Sequence, residues 1–144
     1  MTSPTSPALT GSCMCGHVKY TSTTLPTHLT SCYCKTCRRL SGAPFLTFGD
    51  FPVTALTFTS NPSSRMFTSY SGIAVRSHCR ECGSPISMQY KCEPETIGIT
   101  VGSIEEESVR GPLPRVTSHI FVEGGGEGRL KGGERGEEKG DGEG

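Results

Sequence analysis

The residues best able to do chemistry in this chain are its eight cysteines. They fall into a C-x-C pair (Cys13, Cys15), a C-x-C-x-x-C trio (Cys32, Cys34, Cys37) and a C-x-x-C pair (Cys79, Cys82), with Cys92 alone. Neighbours this close are poorly placed to bond one another, because a disulfide demands a particular Cα separation and Cβ direction. The first dozen residues are mostly Ser, Thr and Pro, with no charged start and no apolar run, so no export signal is expected. A cytoplasmic or nuclear location follows, where thiols stay reduced. Tight clusters separated by long gaps are how a chain delivers several thiolates to one ion. The C-x-C spacing does not fit the common iron–sulfur motifs, which leaves zinc as the expected metal.

Glycine follows the second cysteine of both pairs, as Cys15-Gly16 and Cys82-Gly83. A glycine there allows positive φ and turns backbone N–H groups toward sulfur, the knuckle of a closed four-sulfur site. One ion joining Cys13, Cys15, Cys79 and Cys82 would close a loop around most of the chain. Pairing Cys13 and Cys15 with two of the trio is the competing assignment. The trio itself offers three thiolates within six residues. If it holds its own ion, a fourth position remains for water or substrate, the arrangement of catalytic zinc. Such an ion can polarise a carbonyl oxygen or favour a bound thiolate near neutral pH. If Cys92 or a histidine completes it, the site is structural; the spacing allows both.

Arg38 and Arg39 directly follow Cys37. They are placed either to hold substrate carboxylates or to offset thiolate charge, and the sequence favours neither. His17, His28, His78 and His119 are scattered and read as surface or packing residues. Cys92, without a partner at knuckle spacing, reads as a small buried side chain.

These groups need a scaffold, and the pattern for it is mainly β. Strands are predicted over residues 17–23, 29–34, 45–48, 56–59, 66–70, 73–76, 86–90 and 96–101, most of them rich in Thr, Val, Ile, Phe and Tyr. Ser71-Gly72 is a hairpin candidate and Asn61-Pro62-Ser63-Ser64 a turn. One short helix is predicted over residues 35–40, carrying Cys37 and closed by Ser41-Gly42. Residues 1–10 read as a flexible leader. Residues 123–144 hold ten Gly, seven acids and four bases with Leu130 as their one aliphatic side chain, and are expected to stay disordered. The domain is thus expected over residues 11–122.

With 144 residues the chain suits one domain. Its 14 bases and 14 acids cancel, which argues against a general nucleic-acid or anionic-membrane binder. No apolar run approaches the roughly 18 residues of a membrane-spanning helix.

Four segments give the chain a likeness to a known family: GSCMCGHVKY at 11–20, CYCKTCRRLSGAPF at 32–45, HCRECGSPI at 78–86 and ITVGSIEEESVRGPLPRVTSHIF at 99–121. It resembles the glutathione-dependent formaldehyde-activating family, which also includes centromere protein V. The resemblance implies a mainly β, Mss4-like β-tent built around two zinc ions. It implies structural zinc on Cys13, Cys15, Cys79 and Cys82, and an open, catalytic zinc on Cys32, Cys34 and Cys37. The implied activity is that of a carbon–sulfur lyase acting on a thiol–aldehyde adduct such as S-hydroxymethylglutathione, with a glutathione-like thiol and an aldehyde as partners. A non-catalytic, zinc-stabilised interaction module of the centromere protein V type is the alternative. Family members usually continue past the His-Ile-Phe segment with more domain, so a C-terminally shortened domain is expected. Tyr33 stands where the family often has His; it lies between ligand positions, and no effect on coordination is expected.

Overall fold

The computed structural model describes residues 6–122, and the expected disorder of the glycine-rich segment lies outside them. Ten strands and one helix follow in the order β1 Leu9–Ser12, β2 Lys19–Ser22, β3 Leu29–Cys32, α1 Lys35–Ser41, β4 Leu46–Pro52, β5 Leu56–Phe58, β6 Arg65–Thr68, β7 Ala74–Cys79, β8 Pro85–Tyr90, β9 Thr96–Thr100 and β10 Val116–Ile120. They form a three-stranded sheet, β1-β2-β5, and a seven-stranded sheet, β10-β3-β4-β9-β8-β7-β6. Pairing is antiparallel throughout except between β10 and β3. The expected mainly β fold is what the chain adopts. No helix among the described residues is long and apolar enough to cross a membrane.

Strand register assigns the large sheet two distinct faces, because successive side chains alternate. Cross-strand partners place Leu29, Gly49, Ile99, Ser87, Ser77 and Cys79 on one face and Thr30, Cys32, Phe48, Met88 and Arg76 on the other. The first face packs against the small sheet, forming a core of Leu9, Val18, Tyr20, Phe51, Ile86, Ile99 and Ile104 that also buries Cys13 and Cys79. The second face carries a smaller cluster of Cys32, Cys37, Phe48, Ala74 and Met88. The two sulfur-bearing regions therefore belong to opposite faces of one sheet.

The chain departs from the composition-based reading at both ends of the domain. Leu9 and Thr10 are not flexible leader; they lie in β1, and Leu9 is fully buried. The segment after β9 returns to clamp this strand, through Glu105 N–H to Thr10 O at 2.9 Å and Arg110 N–H to Ala8 O at 2.9 Å. β10 sits at the edge of the large sheet. Asn61 caps the predicted turn by accepting from Ser63 N–H at 2.9 Å. The stretch containing Ser71-Gly72 joins β6 to β7, as a hairpin requires.

Candidate metal centres and active site

Cys13 and Cys15 lie in the turn between β1 and β2, Cys79 ends β7, and Cys82 sits in the turn to β8. Their four sulfurs lie within 4.8 Å of one another. Cys15 Sγ is 3.7 Å from both Cys13 Sγ and Cys79 Sγ. The structure thus selects the long-range grouping over pairing with the trio. Gly16 and Gly83 take φ of 87° and 81°, as a knuckle turn demands. Backbone donors reach the sulfurs from Val18 N–H to Cys13 at 3.3 Å and from Glu81 N–H to Cys79 at 3.3 Å. Ser84 joins the two turns: its Oγ accepts from Met14 N–H at 3.0 Å and lies 3.2 Å from Cys82 Sγ. Burial works against the Cys82 thiolate, but the Ser84 hydroxyl and backbone outweigh it, holding the thiol at about 5. His17 does not join the cluster, yet its Nδ1 lies 3.0 Å from Cys15 Sγ, a contact that its two-residue spacing from Cys15 suggests in retrospect.

The trio is built where a strand becomes a helix. Cys32 ends β3, Cys34 caps α1 and accepts from Cys37 N–H at 3.3 Å, and Cys37 lies buried in the first turn. Gly42, at φ 74°, closes the helix by donating to Arg38 O at 2.8 Å. The three sulfurs lie within 4.8 Å of one another, and among the described residues no fourth Cys, His, Asp or Glu joins them. Hydrogen bonds from Cys32 and Cys37 hold Cys34 as the thiolate, down at about 2, and the same sharing pushes Cys32 up.

Sequence reasoning missed the cation of this site. Arg76, on β7, donates from Nη1 to Cys37 Sγ at 3.4 Å and from Nη2 toward Cys34 Sγ at 4.0 Å. Burial disfavours its charge, but the Cys37 sulfur more than compensates and raises its pKa. The available signal was an arginine in phase with the buried Ala74, three residues before Cys79 on β7. Arg38 instead turns its Nε to Tyr33 O at 3.0 Å, and Arg39 is exposed. Tyr33 packs on Phe45 with ring centres 4.9 Å apart, and its hydroxyl lies 3.3 Å from His119 Nδ1. His28 pairs with Asp50 at 2.9 Å. Cys92 is exposed, not buried as its isolation suggested, because it falls in the turn after β8. A cavity of about 140 Å³ has Arg76, Leu40, Leu46, Phe48, Tyr70 and Pro85 in its wall. Its surface is largely apolar, with Arg76 and His78 as the ionisable residues in its wall.

Among curated proteins none matches the chain. A crystal structure of a protein from Rhodobacter sphaeroides superposes with a TM-score of 0.59 at 23% identity, covering 74% of this chain and 98% of that one. It is similar in fold. The family model described as glutathione-dependent formaldehyde-activating enzyme matches residues 8–124, a span that takes in both sulfur clusters and every strand from β1 to β10. The chain belongs to the glutathione-dependent formaldehyde-activating enzyme family.

Proposed function

We propose that this protein is a zinc-dependent carbon–sulfur lyase that makes and breaks the bond between a glutathione-like thiol and an aldehyde, S-hydroxymethylglutathione being the representative adduct. The observation that carries the reading is the unequal completion of the two clusters: four sulfurs at one, three at the other. Sulfurs at the corners of a zinc tetrahedron, with bonds of about 2.3 Å, stand about 3.8 Å apart. The 3.7 Å separations of Cys15 from Cys13 and Cys79 fit that ion well. Cys13, Cys15, Cys79 and Cys82 would hold a structural zinc, and Cys32, Cys34 and Cys37 a second one with a position left for a ligand. When bound, that second zinc supplies Lewis acidity and favours the thiolate form of a thiol beside it. The chain contributes placement. The turn from β3 into α1 fixes three sulfurs around one point, and Phe48 and Met88 cover the side of the trio toward the sheet. In the synthetic direction the thiol sulfur bonds to the carbonyl carbon and the thiol proton ends on the former carbonyl oxygen; in the reverse direction that carbon–sulfur bond breaks. The eight free thiols are consistent with a reducing, cytoplasmic setting.

The test is thiol-dependent consumption of formaldehyde by fully zinc-loaded protein. We expect a rate above that of glutathione and formaldehyde alone, two zinc ions per chain, and loss of one ion together with the activity in Cys34→Ala. No excess rate from loaded protein eliminates the lyase. A single tightly held zinc with no activity favours the interaction module.

A further inference from the structure

We propose that Arg76 is a binding residue for an anionic ligand atom at the trio, selecting a thiolate over a neutral donor. This rests on the reading of Cys32, Cys34 and Cys37 as an incomplete metal centre. The argument begins with charge. Three thiolates and one divalent cation leave the centre with a charge of minus one, and a fourth thiolate makes it minus two. An uncompensated double charge is costly in a half-buried site. A neutral fourth ligand adds no such burden.

Arg76 is positioned to carry that difference. It arises from β7, on the same face of the large sheet as Cys32, Phe48 and Met88. Its guanidinium ends on two of the three sulfurs, at 3.4 Å from Cys37 and 4.0 Å from Cys34. The salt bridges among the described residues pair His28 with Asp50 and Arg80 with Glu81, so no carboxylate of the described residues holds Arg76. A guanidinium has five N–H donors in a planar fork, more than two sulfurs use. The same side chain stands in the wall of the cavity of about 140 Å³, beside Leu40, Leu46, Phe48 and Tyr70. Arg76 is thus the residue shared by the cavity wall and the sulfur contacts, although the three cysteines themselves do not line the cavity. A ligand whose body enters the largely apolar cavity meets this side chain, which also touches the trio. A small thiol whose sulfur meets the trio as an anion has that form.

The experiment uses the full chain loaded with cobalt(II), whose absorption reports the ligands around it, titrated separately with 2-mercaptoethanol and with imidazole. Metal per chain is measured throughout. In the wild type both ligands should alter the spectrum. In Arg76→Gln the thiol should bind roughly ten- to a hundred-fold more weakly, the scale of a lost hydrogen bond to a charged group. Imidazole should bind within about two-fold of wild type, because its neutral nitrogen needs no compensating charge. Arg76→Lys should recover part of the thiol affinity. The proposal is overturned if Arg76→Gln leaves thiol binding unchanged, if it weakens thiol and imidazole alike, or if both variants lose the trio's cobalt. A wild-type centre that binds neither ligand sinks the open-centre reading and this inference with it, and does so before any variant is made.

Discussion

Cys15 and Cys79 hold their sulfurs 3.7 Å apart although 64 positions separate them in sequence. Cys15 belongs to the turn of the small sheet and Cys79 to the last position of β7 in the large one. An ion held there ties the two sheets together at one end of their shared core. The trio, on the opposite face, ties β3 only to the helix that follows it.

That difference predicts unequal consequences for stability. A domain of this size has roughly 5–15 kcal/mol to lose, and a structural zinc can supply much of it. Cys79→Ser should therefore abolish cooperative thermal unfolding. Cys34→Ser should keep a cooperative transition with a modestly lower Tm. Near-ultraviolet circular dichroism with metal analysis on both variants checks this. Equal loss of folding in both would mean that the trio is structural too.

Gly11 marks a second tightly specified contact. It pairs across the sheet with Tyr20, and a Cβ placed on it would run into the Tyr20 ring. Tyr20 is 1% exposed, so its ring has little room to move. Gly11→Ala should destabilise by about 1–3 kcal/mol, the cost of forcing extra volume into a packed core. Gly102→Ala, where nothing lies within 4 Å of the added atom, should stay within about 0.5 kcal/mol. Urea unfolding of the pair distinguishes crowding from a general effect of replacing glycine.

These contacts show which parts of the fold can be read from residue types. Both knuckles announced themselves, because a glycine after the second cysteine has a backbone reason to be there, and Gly16 and Gly83 do take positive φ. The helix was legible from Cys37 to its Gly42 cap. β1 was not, since Leu-Thr-Gly-Ser contains one buried aliphatic side chain and a glycine whose purpose is visible only beneath Tyr20. β10 was missed because Val116–Ile120 is a half-exposed edge strand with no alternation to detect. β4 runs on through Gly49, Asp50 and Pro52, residues that ordinarily break strands. Gly49 sits against Pro26 and Leu29, so that a Cβ there would be crowded at 3.0 Å from Pro26 Cβ. At the trio, the sulfurs were evident from spacing, but Arg76 is 39 positions from Cys37. Only strand pairing brings it there.

Tyr20 also predicts how stability depends on pH. Burial, reinforced by Glu105 and opposed by the Ser103 hydroxyl, raises its phenol to about 12. In the unfolded chain a tyrosine titrates near 10. The folded value is the higher one, so the stabilisation is fully present below pH 10 and is lost as the pH rises through 12. Two units of difference correspond to about 3 kcal/mol. Tyr20→Phe removes this titration together with the 2.7 Å hydrogen bond to Ser103 Oγ. At pH 8 the variant should be less stable than wild type by about 1 kcal/mol, the net worth of one such bond. At pH 11.5 the gap should close or reverse, because wild type then bears the cost of keeping a phenol protonated that the unfolded chain would ionise. Urea unfolding of both proteins at the two pH values measures the change directly. A stability difference that stays constant between them would show that Tyr20 ionises in the folded protein as readily as in water.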